Sequence, residues 1–204
     1  MVQGKRPNDS ICRNTAVSRL VYEWIAGFER EPGDGEAIDE TRNFHPGALK
    51  LFANYDQHGT RLTRRNTLLI DSTQIEAGGT LDDEFRAAAA PEIQAFKEQL
   101  NRERGAGDTA EPTDGELLRG VMNTVGRKGR LGEQIRCVVS VSMLTEGWDA
   151  NTVTHILGVR AFGTQLLCEQ VVGRGLRRLS YEPGEDSELF DVEYAQVMGI
   201  PFAR

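Results

Sequence analysis

The sequence predicts an α/β fold in which helices flank a parallel sheet. Two runs rich in β-branched residues, 135–141 (IRCVVSV) and 153–159 (VTHILGV), are typical of central strands. A third apolar run, residues 66–71 (NTLLID), ends in polar residues, as buried parallel strands do. Because helical patterns alternate with these strands, we expect a parallel sheet with right-handed crossovers.

The N-terminal part of the chain has the pattern of a βα unit. Residues 10–15 (SICRNT) predict a short strand that ends in polar residues. Apolar residues then recur at intervals of three and four over residues 17–28, which predicts an amphipathic helix. Asn14 or Thr15 is the expected N-cap, and Gly27 lies near the expected helix end.

The middle of the chain alternates loops with helical patterns. Residues 29–65 are rich in Gly, Pro, Asp and Glu, and we interpret them as an insertion in which only residues 48–55 have a strand pattern. Residues 81–100 predict a helix that Pro91 must kink or divide. The chain then continues through a polar linker, a helix and a basic loop at residues 101–113, 114–125 and 126–133.

The composition of the 204 residues limits the class of protein. The length suits one domain, expected over residues 1–180, followed by an acidic extension or the start of another domain at 181–204. The sequence has no long uncharged apolar run and no signal-peptide pattern, so we expect a cytoplasmic protein without a membrane span. Its three cysteines lack paired C-x-x-C spacing, which argues against a disulfide framework and a zinc ribbon.

The net charge of −7 is unevenly distributed. Residues 181–204 carry six acids and one arginine, so they supply five of the seven excess negative charges. Between Arg160 and Arg178, in contrast, four arginines face only one acid, Glu169. Positive charge is therefore concentrated in one short part of the chain, which weakens the objection that an acidic protein does not bind phosphates.

That basic part contains the strongest candidate site, residues 170–177 (QVVGRGLR). Arg174 and Arg177 lie three residues apart beside Gly173, and the stretch is expected at the start or in the first turns of a helix. Guanidinium groups keep their charge and present a planar fork of donors, so a pair aimed at one point can neutralise a transferring phosphoryl group. The alternative is a solvated basic helix face with ordinary surface contacts.

A second candidate segment, residues 143–149 (MLTEGWD), begins where the strand at 135–141 ends. Gly147 allows close backbone approach to a ligand, and Glu146 and Asp149 supply acceptors for a ribose hydroxyl or for a neighbouring arginine. In parallel sheets ligands bind beyond the carboxyl ends of the strands, which is where this segment is expected. The alternative for this segment is a plain turn with Asp149 as its first residue. Trp148 is expected in the core, and the alternative for it is a stacking surface for a base.

The two segments occur in the order and at the distance of motifs V and VI of superfamily 2 helicases, and residues 10–15 resemble motif IV. More narrowly, residues 140–151 (SVSMLTEGWDAN) and 164–178 (TQLLCEQVVGRGLRR) are similar to the restriction (Res) subunit of type III restriction enzymes. The resemblance spans most of the chain, including residues 66–72 and 194–202. It implies a RecA-like (P-loop NTPase-type) second motor lobe of a DNA-dependent ATPase.

The resemblance also implies roles for individual residues. Arg174 and Arg177 would act as catalytic arginine fingers at the γ-phosphate of ATP. The other implied nucleotide-binding residues are Glu146, Gly147, Asp149, Gln170 and Gly173. Those implied to lie along the nucleic-acid backbone are Arg13, Asn14, Thr15 and Thr145. No residue is expected to bind a metal directly.

The sequence lacks the phosphate loop, G-x-x-x-x-G-K-[ST], and the acidic Mg²⁺ motif. ATP and Mg²⁺, the implied cofactors, would therefore be held mainly by another lobe, and the chain alone is expected to be inactive. The implied partners are double-stranded DNA, an N-terminal RecA-like lobe of the same protein and a modification (methyltransferase) subunit. The alternative is a catalytically inert RecA-like module that binds protein or nucleic acid. A stand-alone nucleotide hydrolase is disfavoured by the missing phosphate loop.

Overall fold

The computed structural model describes most of the chain as two compact units. Unit 1 comprises Met1–Leu118 and Gln134–Met143, and unit 2 comprises Arg119–Glu133 and Leu144–Arg204. The side chains of residues 9–15 and of Leu167 are not described. The described residues are 9–29, 44–70, 81, 83–105, 110–140, 149–159, 164–183 and 189–199.

Unit 1 begins with a long helix, α1 (Asp9–Ala26). The strand predicted for residues 10–15 is therefore wrong, and so is the N-cap at Asn14 or Thr15. The segment has two adjacent apolar residues but no alternation, so nothing in it opposes the helical pattern that follows. The predicted end is confirmed, since Gly27 follows the helix with a φ of 85°.

The segment interpreted as an insertion contributes a small antiparallel sheet to unit 1. Strand β1 (Gly27–Glu29) pairs with β2 (Phe44–Pro46). Residues 48–55 do not form the strand that their pattern suggested, because the amides of Phe52 and Ala53 both donate to the Leu49 carbonyl oxygen, at 2.9 and 3.0 Å. Such local hydrogen bonds make a helical turn.

A parallel pair of strands forms the core of unit 1. Strand β3 (Thr67–Ile70) pairs with β4 (Cys137–Ser140), with Leu68 opposite Val138. Leu68 and Ile70 are at most 2% exposed. Parallel strands at 66–71 and 135–141 are thus confirmed for the residues that the structure describes, and β3 is buried as predicted. Strand β4 is half-buried and pairs with one described strand, so it is not the central strand that its pattern suggested.

The predicted helix at 81–100 is divided in two, as its proline requires. Helix α2 (Asp83–Ala88) ends before Ala89, and α3 (Ala90–Arg104) begins with Pro91 in its first turn, where no amide hydrogen is needed. Arg64 bridges the division, because its guanidinium donates to the Ala88 carbonyl oxygen at 2.6 Å and to the Glu92 carboxylate at 2.9 Å. Helix α3 continues into the predicted linker.

Helix α4 (Asp114–Asn123) matches its prediction and begins with a capping box. The Thr113 amide and hydroxyl both donate to Glu116 Oε2, at 2.8 and 2.9 Å, and the Glu116 amide donates back to Thr113 Oγ1 at 3.3 Å. The hydrogen bonds from Thr113 lower the pKa of the Glu116 carboxyl, and the Arg104 guanidinium lowers it further. The T-x-x-E pattern was visible in the sequence.

Unit 2 contains a second parallel pair. Strand β5 (His155–Gly158) pairs with β6 (Gln196–Gly199), and α5 (Gln165–Gly175) lies between them in sequence. A strand within 153–159 is confirmed, but it pairs with one described strand and is not the central strand that its pattern suggested. Strand β6, within the predicted acidic extension, was not predicted, because its four residues are all exposed and its apolar pattern is short.

The described residues therefore form a mixed α/β fold with small parallel sheets flanked by helices. Each described sheet has two strands, and no described pairing joins β4 to β5 in the single sheet that the sequence suggested. Among the same residues, no helix combines the length and the apolar character that crossing a membrane would require.

Candidate functional site

The candidate arginines lie at the C-terminal end of α5, not in its first turns as expected. The helix begins at Gln165, and its buried side includes Cys168 and Val171, the latter 1% exposed. At the other end, a Cβ atom on Gly175 would lie 2.4 Å from the Ile156 Cδ1 atom. Glycine at position 175 therefore lets the end of the helix approach β5 closely.

Arg174 is in the last turn of α5, and Arg177 follows the helix in a turn that continues its path. The Leu176 amide donates to the Val172 carbonyl oxygen at 3.0 Å, and the Arg177 amide donates to the Arg174 carbonyl oxygen at 3.3 Å. The helix dipole presents partial negative charge at this end, so positive side chains are favoured there. The helix dipole therefore favours the two arginines at this end of α5 without any ligand.

Arg177 forms an ion pair with Asp149 through its Nη1 atom. This contact connects the segment that resembles motif VI to the last residue of the segment that resembles motif V. The Arg177 side chain is 41% exposed and that of Asp149 is 73% exposed. An exposed ion pair contributes little to stability, so its main effect is to orient the guanidinium while leaving it accessible to an anion.

Asp149 is held in position by the end of α4. Its amide donates to Asn123 Oδ1 at 2.8 Å, and three residues later the Thr152 hydroxyl donates to the Val125 carbonyl oxygen at 2.6 Å. Ala150, between these anchors, is 1% exposed. Residues 149–152 are thus fixed by the end of α4 and the turn that follows it.

Asn151 links this segment to the chain that follows the arginines. Its Nδ2 atom donates to the carbonyl oxygens of Arg178 and Leu179, at 3.2 and 3.3 Å. Its Oδ1 atom accepts a hydrogen bond from Arg127. Neither Asn123 nor Asn151 was predicted as a site residue, since a single asparagine in a turn carries no distinctive pattern.

Arg178, which was predicted to lie outside the site, contacts the acidic extension. Its guanidinium carbon lies 5.0 Å from the centroid of the Phe190 ring, and Nη2 lies 3.6 Å from the Glu193 carboxylate. Glu193 also accepts a hydrogen bond from the Leu179 amide at 2.7 Å. Arg178 and Glu193 therefore stabilise the turn after α5.

The other predicted site residues have different placements. Gln170 is exposed on α5, and a Cβ atom added to Gly173 would meet no atom within 4 Å. Arg13, Asn14 and Thr15 are in α1 of unit 1, and their side chains are not described. Thr145, Glu146, Gly147 and Trp148 lie outside the described residues. The pair that the structure brings together is Arg177 and Asp149.

No metal centre is present among the residues that the structure describes, because no three His, Cys, Asp or Glu side chains are grouped to hold an ion. Comparisons with family models, with curated proteins and with solved structures gave no match to this chain.

Proposed function

We propose that the chain is the second, RecA-like motor lobe of an ATP-dependent DNA helicase or translocase similar to the Res subunit of type III restriction enzymes. In this role Arg174 and Arg177 face the γ-phosphate of an ATP molecule held by another lobe. The observation that carries the proposal is the ion pair between Arg177 and Asp149, because it joins the two segments on which the resemblance rests. The parallel β5–β6 pair beside α5 is compatible with such a lobe.

The chemistry of the arginines suits phosphoryl transfer. Negative charge spreads over the oxygens of the transferring group, and fixed cations stabilise that charge in the transition state. The Arg177 guanidinium is oriented by Asp149, and the backbone of Arg174 is fixed by the last turn of α5. Preorganised charges do not have to be rearranged during the reaction, which is how such groups accelerate it.

The proposal is tested by joining the chain to a lobe that carries a phosphate loop and measuring DNA-stimulated ATP hydrolysis. Replacement of either Arg174 or Arg177 by alanine should reduce turnover by about 10³-fold or more, the range measured for arginine fingers. Arg119→Ala is the matched control, because Arg119 is an exposed arginine of the same unit outside the site. Equal turnover in all three variants and the unaltered protein would favour the inert binding module instead.

A further inference from the structure

The loop at residues 126–133 (GRKGRLGE), here called the basic loop, carries the densest positive charge in unit 2 outside the arginine site. Arg127, Lys128 and Arg130 are all exposed. Glu133 is the only acid in the loop, and its carboxylate accepts a hydrogen bond from the Gly129 amide at 2.7 Å. The loop is therefore a basic surface in a chain whose net charge is −7.

The basic loop is held in one conformation by its own hydrogen bonds. The Gly126 amide donates to the Gly132 carbonyl oxygen at 2.8 Å, and the Gly132 amide donates to Thr124 Oγ1 at 3.0 Å. Gly126 and Gly129 have φ values of 70° and 71°, which glycine adopts without strain. Leu131, 7% exposed, anchors the loop. Little backbone conformational entropy is left to lose when a ligand binds.

The backbone of the basic loop does not form a cradle for a single phosphate. Phosphate-binding loops use unpaired amide groups, but here the amides of Arg127 and Arg130 donate to the carbonyl oxygens of Thr124 and Arg127, at 2.9 and 3.2 Å. The amides of Gly126 and Gly129 are also used within the loop. Binding must therefore come from side-chain charge, which suits a ligand with several phosphates in a row.

The geometry points to the basic loop as a binding surface for the sugar-phosphate backbone of nucleic acid, contacted without regard to base sequence. Its three cations span at most about 11 Å of chain. Duplex DNA carries one negative charge per about 1.7 Å of its axis, so several phosphates lie within that length. The exposed residues at 126–130 include no apolar side chain to insert into a lipid bilayer, which favours nucleic acid over a membrane.

This surface adds a new contact for DNA, the partner in the proposed function, but it does not rest on that function, since it uses neither Arg174 nor Arg177 and needs no nucleotide. The test is binding of the full chain to fluorescein-labelled 20-base-pair DNA duplexes of two unrelated sequences, measured by anisotropy over a series of salt concentrations. The variant is Lys128→Gln with Arg130→Gln. Arg127 is kept because it holds Asn151.

We expect the double variant to bind both duplexes at least tenfold more weakly at low salt. The slope of log K against log salt should become shallower by about 2, because two phosphate contacts are lost. The matched control is Lys50→Gln with Arg102→Gln, which removes the same charge from exposed positions in unit 1. It should bind as the unaltered chain does.

Equal weakening in the control and the test variant would overturn the inference, because net charge alone would then explain binding. Binding to vesicles of anionic phospholipid that depends on Lys128 and Arg130, without binding to DNA, would overturn it in favour of a membrane surface. The measurement is independent of ATP hydrolysis. If replacement of Arg174 or Arg177 by alanine did not alter turnover, the proposed function would be contradicted, but the inference about the basic loop would be unaffected.

Discussion

Arg177 and Asp149 form an ion pair across 28 positions of the chain, between the turn after α5 and the segment that precedes β5. Each partner has its own anchor, since the Arg177 amide is bonded to Arg174 and the Asp149 amide to Asn123. The backbone of each residue is thus held by a hydrogen bond that does not depend on the ion pair. The pair can orient a guanidinium without being needed to hold the fold together.

Asp149→Asn should separate these two roles. In the joined two-lobe protein, we expect ATP turnover to fall about tenfold, because a small displacement of the Arg177 guanidinium slows the reaction without abolishing it. The free energy of unfolding of the chain should change by less than about 1 kcal/mol. Turnover is measured together with urea unfolding, and Glu169→Gln is the control, an exposed acid on α5. Unchanged turnover in Asp149→Asn would show that the ion pair does not position Arg177.

The two glycines beside Arg174 should respond to alanine to different degrees. Gly173→Ala places a Cβ in open space within a helix and should stabilise the chain by about 0.5–1 kcal/mol. Gly175→Ala places a Cβ 2.4 Å from Ile156 Cδ1, so the end of that side chain must rotate away, and any gain in stability should be smaller. Urea unfolding of both variants checks the order. A gain for Gly175→Ala as large as that for Gly173→Ala would mean that the Ile156 side chain moves aside at no cost.

Gly173→Ala also tests the role that the resemblance implies for this residue. The added methyl group meets no atom within 4 Å, so any effect of the substitution on ATP turnover reports on an approaching ligand. A more stable protein with reduced turnover would support a role in nucleotide binding. A more stable protein with unchanged turnover would show that Gly173 has no such role.

The sequence predicted those elements whose hydrophobic pattern is unambiguous. The strands β3, β4 and β5 were located because each is a short run of apolar or β-branched residues, and the helix α4 was located between a polar linker and a basic loop. Residues 10–15 were misassigned because six residues with two adjacent apolar positions fit a strand and a helix equally. Strand β6 was not predicted, because nothing in its four exposed residues distinguishes an edge strand from a loop.

The charged residues of the candidate site were predictable from the sequence, but the residues that hold them in place were not. The spacing of Arg174 and Arg177 was visible, and an arginine was an expected partner of Asp149. The position of the arginines at the end of α5 was not predicted, because the helix start was expected close to Gly173, although Thr164, a preferred N-cap residue, directly precedes Gln165. Asn123 and Asn151 form hydrogen bonds with backbone groups that are distant in sequence, and such contacts cannot be predicted from the sequence alone.

A buried asparagine of unit 1, Asn54, should be among the most sensitive positions of the chain. It is 2% exposed and uses its whole amide group. Nδ2 donates to Tyr22 Oη at 3.0 Å and to the Thr67 carbonyl oxygen at 2.9 Å, and Oδ1 accepts from the amides of Asn66 and Thr67, both at 2.9 Å. It therefore joins α1 to the start of β3.

Asn54→Ala should lower the free energy of unfolding by about 3 kcal/mol or more, because it leaves several buried polar groups without partners. Asn54→Asp should be at least as destabilising, since a carboxylate oxygen would then face the Thr67 carbonyl oxygen. Gln57→Ala, an exposed amide in the same segment, should change stability by less than about 0.5 kcal/mol. Similar unfolding midpoints for all three variants would contradict the role assigned to Asn54.

The capping box of α4 should make stability depend on pH through Glu116. Its carboxyl pKa is lower in the folded chain than in the unfolded chain, chiefly because of hydrogen bonds from Thr113. A group with a lowered folded pKa contributes stability above its unfolded pKa, and that contribution is lost as the pH falls through the folded value. Glu116→Gln keeps an acceptor for the Thr113 amide but removes the charge.

We therefore expect Glu116→Gln to be less stable than the unaltered chain at pH 7, with the difference vanishing as the pH falls below the ordinary carboxyl range. Thr113→Ala, which removes the cap itself, should cost about 1 kcal/mol at pH 7. Urea unfolding at several pH values from 7 to about 3 spans this carboxyl range. Glu84→Gln is the matched control, because it also neutralises an acid in the first turn of a helix. A difference for Glu116→Gln that persists unchanged at the lowest pH would show that the charge of Glu116 contributes nothing to the cap.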